Sequence, residues 1–278
     1  MIEVIKLSGE KAPYSEQSLK QSLINSGADQ EVASQIVANI TKELYNGITT
    51  KELYHKAFDQ LKNVKSSVAA RYSLKRALQK LGPEGFYFEK WVAKIFETRG
   101  CATQTSQTLE GKSTVTHEID VLAADKNYFY LCECKFRNDM EAKISVTTPM
   151  YFLSRFTDLV GKEFNYFNKP FIPNKGCLIT NAFFTSDSIN FAKYYDIELI
   201  SWNYPEDRSI KNITDSFALY PITCLTSLTD EEEQKLLEKN CILVKELVNN
   251  PVLLDHFKFD TNRKNTILEE ANDLLNKK

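Results

Sequence analysis

The chain has 278 residues, 42% of them hydrophobic and 26% charged, with six cysteines and a formal net charge of −2. This is ordinary globular material, long enough for two or three domains, and it excludes bulk disorder and any advertisement of a nucleic-acid partner through global charge. No stretch approaches the roughly 20 apolar residues that span a bilayer, residues 1–6 lack a signal core, and the cysteines show no CxxC spacing, so a cytoplasmic protein without membrane anchor, zinc ribbon or disulfide framework is expected.

In chain order, residues 3–7 read as a short strand and Gly9 as a turn. Ser15 can cap a helix through Leu19, Leu23 and Ile24, and helical spacing returns at Val32, Ile36, Val37 and Ile40. After the Asn46-Gly47 stop, Ile48-Thr49-Thr50 opens a helix through Leu53, Ala57, Phe58 and Leu61, and a last helix is expected over 68–81. This stretch resembles the ATP-cone, the nucleotide-sensing domain at the front of ribonucleotide reductases and of a related repressor. The matching residues are Val4-Ile5-Lys6 with Gly9, Pro13-Tyr14, Gly47-Ile48-Thr49-Thr50 and Ala69-Ala70-Arg71-Tyr72. The resemblance implies a mostly helical domain over 1–82 that binds ATP or dATP as a regulator, with Lys6 on a phosphate, Val4 beside the base and Thr50 as a further contact. Two cations of the family pattern are replaced, by Leu7 and Ser18, so a domain that only mediates protein contacts is the alternative. No Walker A or dinucleotide glycine fingerprint occurs.

Gly82-Pro83-Glu84-Gly85 reads as punctuation before an amphipathic helix carrying Glu89 and Trp91. Residues 101–107 are expected to form a strand. Ile119-Val121-Leu122 and Tyr128-Phe129-Tyr130-Leu131-Cys132 flank the turn residues Asp125-Lys126-Asn127, which predicts a β-hairpin. Folding it about 125–127 places Asp120 opposite residue 131 or 132, and strand alternation puts Glu133 and Lys135 on one face. Asp120, Glu133 and Lys135 then converge where the flanking residues are apolar. An ionic group there is costly unless it is paired or bound to a metal, and two adjacent carboxylates suit a shared hard cation.

The Asp120, Glu133-Cys134-Lys135 pattern, preceded by Glu89 on a helix, resembles the PD-(D/E)XK nuclease superfamily and its Mrr-like restriction endonuclease branch over 83–205. The resemblance implies a central αβββαβ core in an α/β (α+β) multidomain chain and a metal-dependent endonuclease acting on DNA. Asp120, Glu133 and the Cys134 carbonyl would hold Mg²⁺ or Mn²⁺, Lys135 would act on the attacking water, and Glu89 would assist. For Glu89 an exposed helix carboxylate is the bland alternative. His117 is expected to be structural or loop-facing, and Glu118 an outlying helper or a solvated strand end. A helix over 145–160 is interrupted by Pro149, and its Arg155, near the site, is expected to pair with Asp158 on the surface, a phosphate contact being the alternative. A strand over 176–181, a helix over 186–195 and a strand over 197–202 complete the region.

Past Pro205 the chain turns polar and then helical. Thr229 with Glu232 gives a capping-box signature, and 206–278 reads as a small helical module with some similarity to helix-hairpin-helix domains. Local charge falls along the chain, with 12 basic against 8 acidic residues over 1–82, 13 against 15 over 83–205 and 10 against 14 over 206–278. The acidic last segment favours interaction or core-capping over DNA binding. The expected whole is a three-part protein with DNA and nucleotide as partners and a homodimeric arrangement, since two sites cut two strands most simply. A non-catalytic nucleotide-responsive binding module built on the same scaffold is the alternative. RNA is disfavoured as a substrate because no aromatic stacking platform is identifiable from the sequence.

Overall fold

A computed structural model of the chain describes residues 2–6, 9–82, 85–139 and 141–276. Leu7, Pro83 and Glu84, which belong to the expected first strand and helix entry, lie outside them. The architecture is mixed α/β, in two compact units: Met1–Ala77 together with Ile222–Lys278, and Leu78–Pro221. The boundaries at 82/83 and 205/206 expected from composition thus differ from those of the compact units, and the last segment joins the first. Among the described residues no helix is long and apolar enough to cross a membrane.

The first unit opens with β1 (Glu3–Ile5), β2 (Lys11–Pro13) and β3 (Ile48–Thr49), in the order β2-β1-β3. Strand β1 runs antiparallel to β2 and parallel to β3. Helix α1 (Glu16–Asn25) starts at Ser15, whose side chain accepts the Ser18 N–H at 3.1 Å, as the capping signature predicts. Helix α2 (Gln30–Lys42) buries Ala33, Ile36, Val37 and Ile40, and α3 (Thr50–Val64) is capped by Thr49. These faces close with Val4, Leu23, Ile48 and Leu61 into one core. The single helix expected over 68–81 is instead α4 (Ser66–Tyr72) and α5 (Leu74–Gln79). Ser73 stands between them, its hydroxyl donating to the Ala70 carbonyl at 2.9 Å, the local competition that makes serine a poor helix-interior residue.

In the second unit α6 (Phe86–Thr98) buries Phe88, Trp91, Val92 and Phe96, and Trp91 Nε1 donates to the Leu219 carbonyl at 2.8 Å. There follow β4 (Ala102–Glu110), β5 (Thr116–Ala124), β6 (Phe129–Cys134), β7 (Lys143–Ile144), α7 (Thr147–Leu159), β8 (Phe164–Tyr166), β9 (Lys169–Phe171) and β10 (Lys175–Ile179). Next come β11 (Phe183–Phe184), α8 (Ser186–Tyr194), β12 (Ile197–Ile200) and α9 (Ile210–Phe217). The main sheet runs β12-β10-β6-β5-β4; β10 is parallel to both β12 and β6, while β5 is antiparallel to β6 and β4. Pro149 falls in the first turn of α7, where a missing N–H is harmless, so the expected interruption does not occur. Helix α9 lies where the sequence looked merely polar. Phe96 meets Tyr130 at 5.1 Å, while Leu159 and Phe156 pack with Leu131, so α6 and α7 cover opposite faces of the sheet.

The chain then returns to the first unit with α10 (Asp230–Glu238), α11 (Val244–Asn249) and α12 (Thr261–Leu275). The expected capping box is present: Thr229 accepts from Glu232 N–H, and the Glu232 carboxylate accepts from Thr229 N–H at 2.8 Å. Helix α12 docks on α4, with Arg71 Nη2 donating to the Leu274 carbonyl at 2.8 Å. The buried Glu270 carboxylate accepts from Thr226 N–H at 2.8 Å, Thr226 Oγ1 at 2.7 Å and Ser227 N–H at 2.9 Å.

Gly176 tests the packing of α7 on the sheet. A Cβ there would stand 2.8 Å from Cε1 and 3.2 Å from Cζ of Phe152, a side chain 3% exposed and locked among its neighbours. Overpacking of this kind costs about 1–3 kcal/mol. We predict that Gly176→Ala lowers the midpoint of urea unfolding accordingly; an unchanged midpoint would show that the Phe152 ring can step aside.

Candidate acidic site at the end of the β5–β6 hairpin

The turn of the hairpin fixes the site. Asp125 N–H donates to the Tyr128 carbonyl at 3.0 Å, and Asp125 Oδ1 accepts from Asn127 and Tyr128 N–H at 2.7 and 2.8 Å. The loop is therefore 125–128, one residue longer than the sequence suggested. Ala124 pairs with Phe129 and Val121 with Cys132, and one further step along the ladder sets Asp120 across from Glu133, not from residue 131 or 132. The corrected register brings the two carboxylates together, and Cys134 N–H donates to Asp120 Oδ2 at 2.6 Å.

Glu133 is 4% exposed in a strand flanked on both sides. Two cations meet it: Lys135 Nζ on Oε1, and Arg155 Nη1 on Oε2 at 2.5 Å. Arg155 also donates to the Glu118 carbonyl. This corrects the expected Arg155–Asp158 surface pair. The buried carboxylate leaves a far larger desolvation cost uncompensated than an exposed one does, so the guanidinium goes inward. Asp158 is instead held by His117 Nε2 at 2.7 Å, Ser113 Oγ at 2.7 Å and Ser113 N–H at 2.9 Å, and its pKa falls to about 2, chiefly through the His117 and Ser113 hydrogen bonds. His117 is structural, tying β5 to Asp158 of α7.

Glu89, in the first turn of α6, reaches the same neighbourhood, accepting from Ser106 Oγ at 3.3 Å. Burial first, and then the Asp120 charge, pushes its pKa up to about 7. Asp120 is pushed up to about 6, by burial first and then by Glu133, against the opposing Cys134 N–H, Lys135 and Arg155. Glu89 is therefore no solvated helix carboxylate. Glu118 contributes its main-chain carbonyl to Arg155 and its charge to Glu89. The arrangement is four acidic groups facing two basic ones. Among the described residues no three His, Cys, Asp or Glu side chains stand close enough to hold a metal ion between them.

Sequence reasoning missed the struts. Thr180 Oγ1 donates to the Lys135 carbonyl at 2.5 Å, Lys135 N–H donates to the Ile179 carbonyl at 2.8 Å, and Asn181 brackets Arg137 with two hydrogen bonds of 2.8 Å. These fix the segment that leaves β6 with Lys135 on it. The available signal was a polar Thr180-Asn181 pair ending an otherwise apolar strand. Ser106, at φ 53°, gave no signal.

The expected nucleotide residues lie in the other unit. Val4 is buried in its core, pairing with Ala12 and Ile48. Lys6 and Thr50 leave the ends of the adjacent parallel strands β1 and β3, and Lys6 Nζ pairs with Glu10 at 2.9 Å. The structure thus brings the backbones of Lys6 and Thr50 side by side, with Val4 two residues before Lys6 on β1 and buried in the core.

Residues 2–81 match the model of the ATP cone domain, and residues 220–275 match the family described as AF1548-like, C-terminal. A crystal structure described as a protein of unknown function, AF1548, superposes with a TM-score of 0.55 at 25% identity, covering 68% of this chain and 97% of that one. An uncharacterized protein of Archaeoglobus fulgidus is 30% identical over 158 residues, which is 57% of this chain and 84% of the relative. With an ATP-cone domain at residues 2–81, the chain belongs to the same family as that uncharacterized archaeal protein.

Proposed function

We propose that the protein is a divalent-cation-dependent endodeoxyribonuclease whose phosphodiester hydrolysis takes place at Asp120, Glu133 and Lys135 and is tuned by its ATP-cone domain. The observation that carries the reading is Asp120 lying across from a buried Glu133 that Lys135 touches, with Glu89 arriving from α6. Support also comes from the main-sheet strands and their covering helices, which follow in the order α6-β4-β5-β6-α7-β10 with the short β7, β8 and β9 interposed; the resemblance to Mrr-like PD-(D/E)XK nucleases implies an αβββαβ order.

The residues present fit a hard cation. Burial raises both Asp120 and Glu89, and a neighbouring carboxylate adds to it, Glu133 for Asp120 and Asp120 for Glu89; a divalent ion would relieve that repulsion, and Mg²⁺ ordinarily uses only one or two carboxylates and keeps its waters. Asp120, Glu133 and the Cys134 carbonyl would hold it; when bound, Mg²⁺ or Mn²⁺ neutralises phosphate charge and acidifies a water. Lys135 orients the attacking water and faces the charge that builds on the pentavalent phosphorane. Glu89 positions water from the opposite side, and Arg155 keeps Glu133 turned toward the hairpin. In the first unit Lys6 and Thr50 would contact nucleotide phosphates, with Val4 under the base. A homodimer would place one site on each DNA strand. The alternative, a non-catalytic nucleotide-responsive module, is favoured by one feature: both Glu133 oxygens already carry a cation.

Purified protein is expected to cleave DNA with Mn²⁺, and Asp120→Ala and Lys135→Ala are each expected to lower the rate at least 100-fold, read on supercoiled and linear DNA. Equal nicking by wild type and both variants would end the nuclease reading. Calorimetry is expected to show ATP or dATP binding that Lys6→Ala weakens about 10-fold, the loss of one charge-assisted contact; no heat with either nucleotide would remove the regulatory role.

The acid pair also sets a pH dependence. A carboxyl whose folded pKa is raised keeps its proton in the folded state where the unfolded chain has released it. Its contribution is fully present below the unfolded pKa and is lost as pH rises through about 6 for Asp120 and about 7 for Glu89. In EDTA, the melting temperature is expected to fall between about pH 4 and about pH 7, and Glu89→Gln with Asp120→Asn is expected to flatten that fall.

A further inference from the structure

We infer that the acidic site takes unpaired DNA, its bases stacking on Phe86 and Tyr151; this rests on the nuclease reading and names the form of its substrate. The two rings are exposed at 47% and 63%. Each shares a helix face with a group of the site. Phe86 stands three residues before Glu89 on α6, and Tyr151 four residues before Arg155 on α7. Because α6 and α7 cover opposite faces of the sheet, the rings flank it on either side at the end where Asp120 meets Glu133.

Each ring also carries a cation. Lys90 Nζ lies 4.2 Å from the Phe86 centroid, and Arg155 Cζ 5.6 Å from that of Tyr151, both within cation–π range. Singly exposed apolar side chains are normal on any protein. Here two exposed aromatic rings, each with a cation, flank one acidic site. Exposed aromatic rings are what a sequence-tolerant single-strand binder offers to base faces; Arg155 is held by Glu133 and the Glu118 carbonyl, so it backs the Tyr151 ring and leaves the base contact to the ring itself. A paired duplex keeps its base faces inside the stack, so only an unpaired or splayed strand can use the rings. Stacking releases no counterions, so the share of affinity it supplies should depend little on salt. The aromatic platform that the sequence did not disclose becomes visible only when α6 and α7 are docked.

The test is fluorescence anisotropy with the full chain in EDTA, using one DNA strand free, the same strand in a duplex, and that duplex with a splayed end. The free and splayed forms are expected to bind at least 10-fold tighter than the duplex. Phe86→Leu and Tyr151→Leu, which keep apolar bulk but remove the ring, are each expected to weaken single-strand binding by about 5- to 100-fold, whereas Tyr151→Trp retains it. Equal binding of duplex and single strand, or leucine variants that bind as wild type does, overturns the proposal. A matching RNA strand bound more tightly than DNA overturns the assignment to DNA. Since no cation is present, the outcome is separate from cleavage. Ring-dependent binding without any Asp120-dependent hydrolysis would sink the nuclease reading alone, and hydrolysis indifferent to the rings would sink this one alone.

Discussion

The burial of one charge organises the second unit. Glu133 is nearly sealed in the middle of a five-stranded sheet, and an ionised carboxylate there is tolerated only if its desolvation is offset on both oxygens. Lys135 and Arg155 supply that offset. Each requires a further device: α7 must sit on the Leu131 face to deliver Arg155, and Thr180 and Asn181 must tie down the chain beyond β6 so that Lys135 turns back. Replacing the trio with apolar residues of similar volume would cost such a fold little, and could even stabilise it. So much structure spent on keeping a charge is the physical argument that the charge has a use.

The acids of the site are not equivalent. Glu133 has its counterions, whereas among the described residues Asp120 accepts from a main-chain N–H and Glu89 from a serine hydroxyl, and both are pushed toward protonation. This divides the labour. Glu133 behaves as the anchor that sets the positions of Lys135 and Arg155, and the Asp120–Glu89 pair is where an incoming positive charge would be most strongly felt.

Legibility from the sequence followed the range of the interactions. The caps at Ser15 and Thr229 and the helix start at Ile48-Thr49-Thr50 rest on local hydrogen bonds within three residues, and the sequence discloses them. The convergence of Asp120, Glu133 and Lys135 was likewise readable from period-two alternation. The register was not, because the Asp125 side chain closes a loop one residue longer than the turn residues suggest, and a single residue decides which side chain faces Asp120. Arg155 was misread because Asp158 is its neighbour on the helix, while Glu133 becomes its neighbour only through tertiary packing. The pairing of 1–77 with 222–278 was illegible for the same reason: nothing local announces a contact across so long a stretch of chain.

That pairing bears on how the ATP-cone domain could speak to anything else. Helix α3 opens beside Lys6 and Thr50, at the expected nucleotide position, and runs to α4, on which α12 docks. Beside the buried Ile267, Ala271 and Leu274 of α12, hydrogen bonds tie the segments: Lys62 to the Thr226 carbonyl at 3.0 Å, Arg71 to the Leu274 carbonyl, and Glu270 to the Thr226 and Ser227 amides. Among the described residues, the buried polar side-chain atoms without a hydrogen-bond partner are Ser67 Oγ, Arg71 Nε and Ser227 Oγ, and all three lie along this seam. Cores fastened by apolar burial, such as that around Ile40 and Leu61, resist displacement because every shift opens a void. At the α4–α12 contact such burial is joined by directional bonds, and a shift there would trade one hydrogen bond for another. A displacement of α3 or α4 would therefore be met first by the C-terminal segment, whose Thr226 and Leu274 carbonyls hold Lys62 and Arg71.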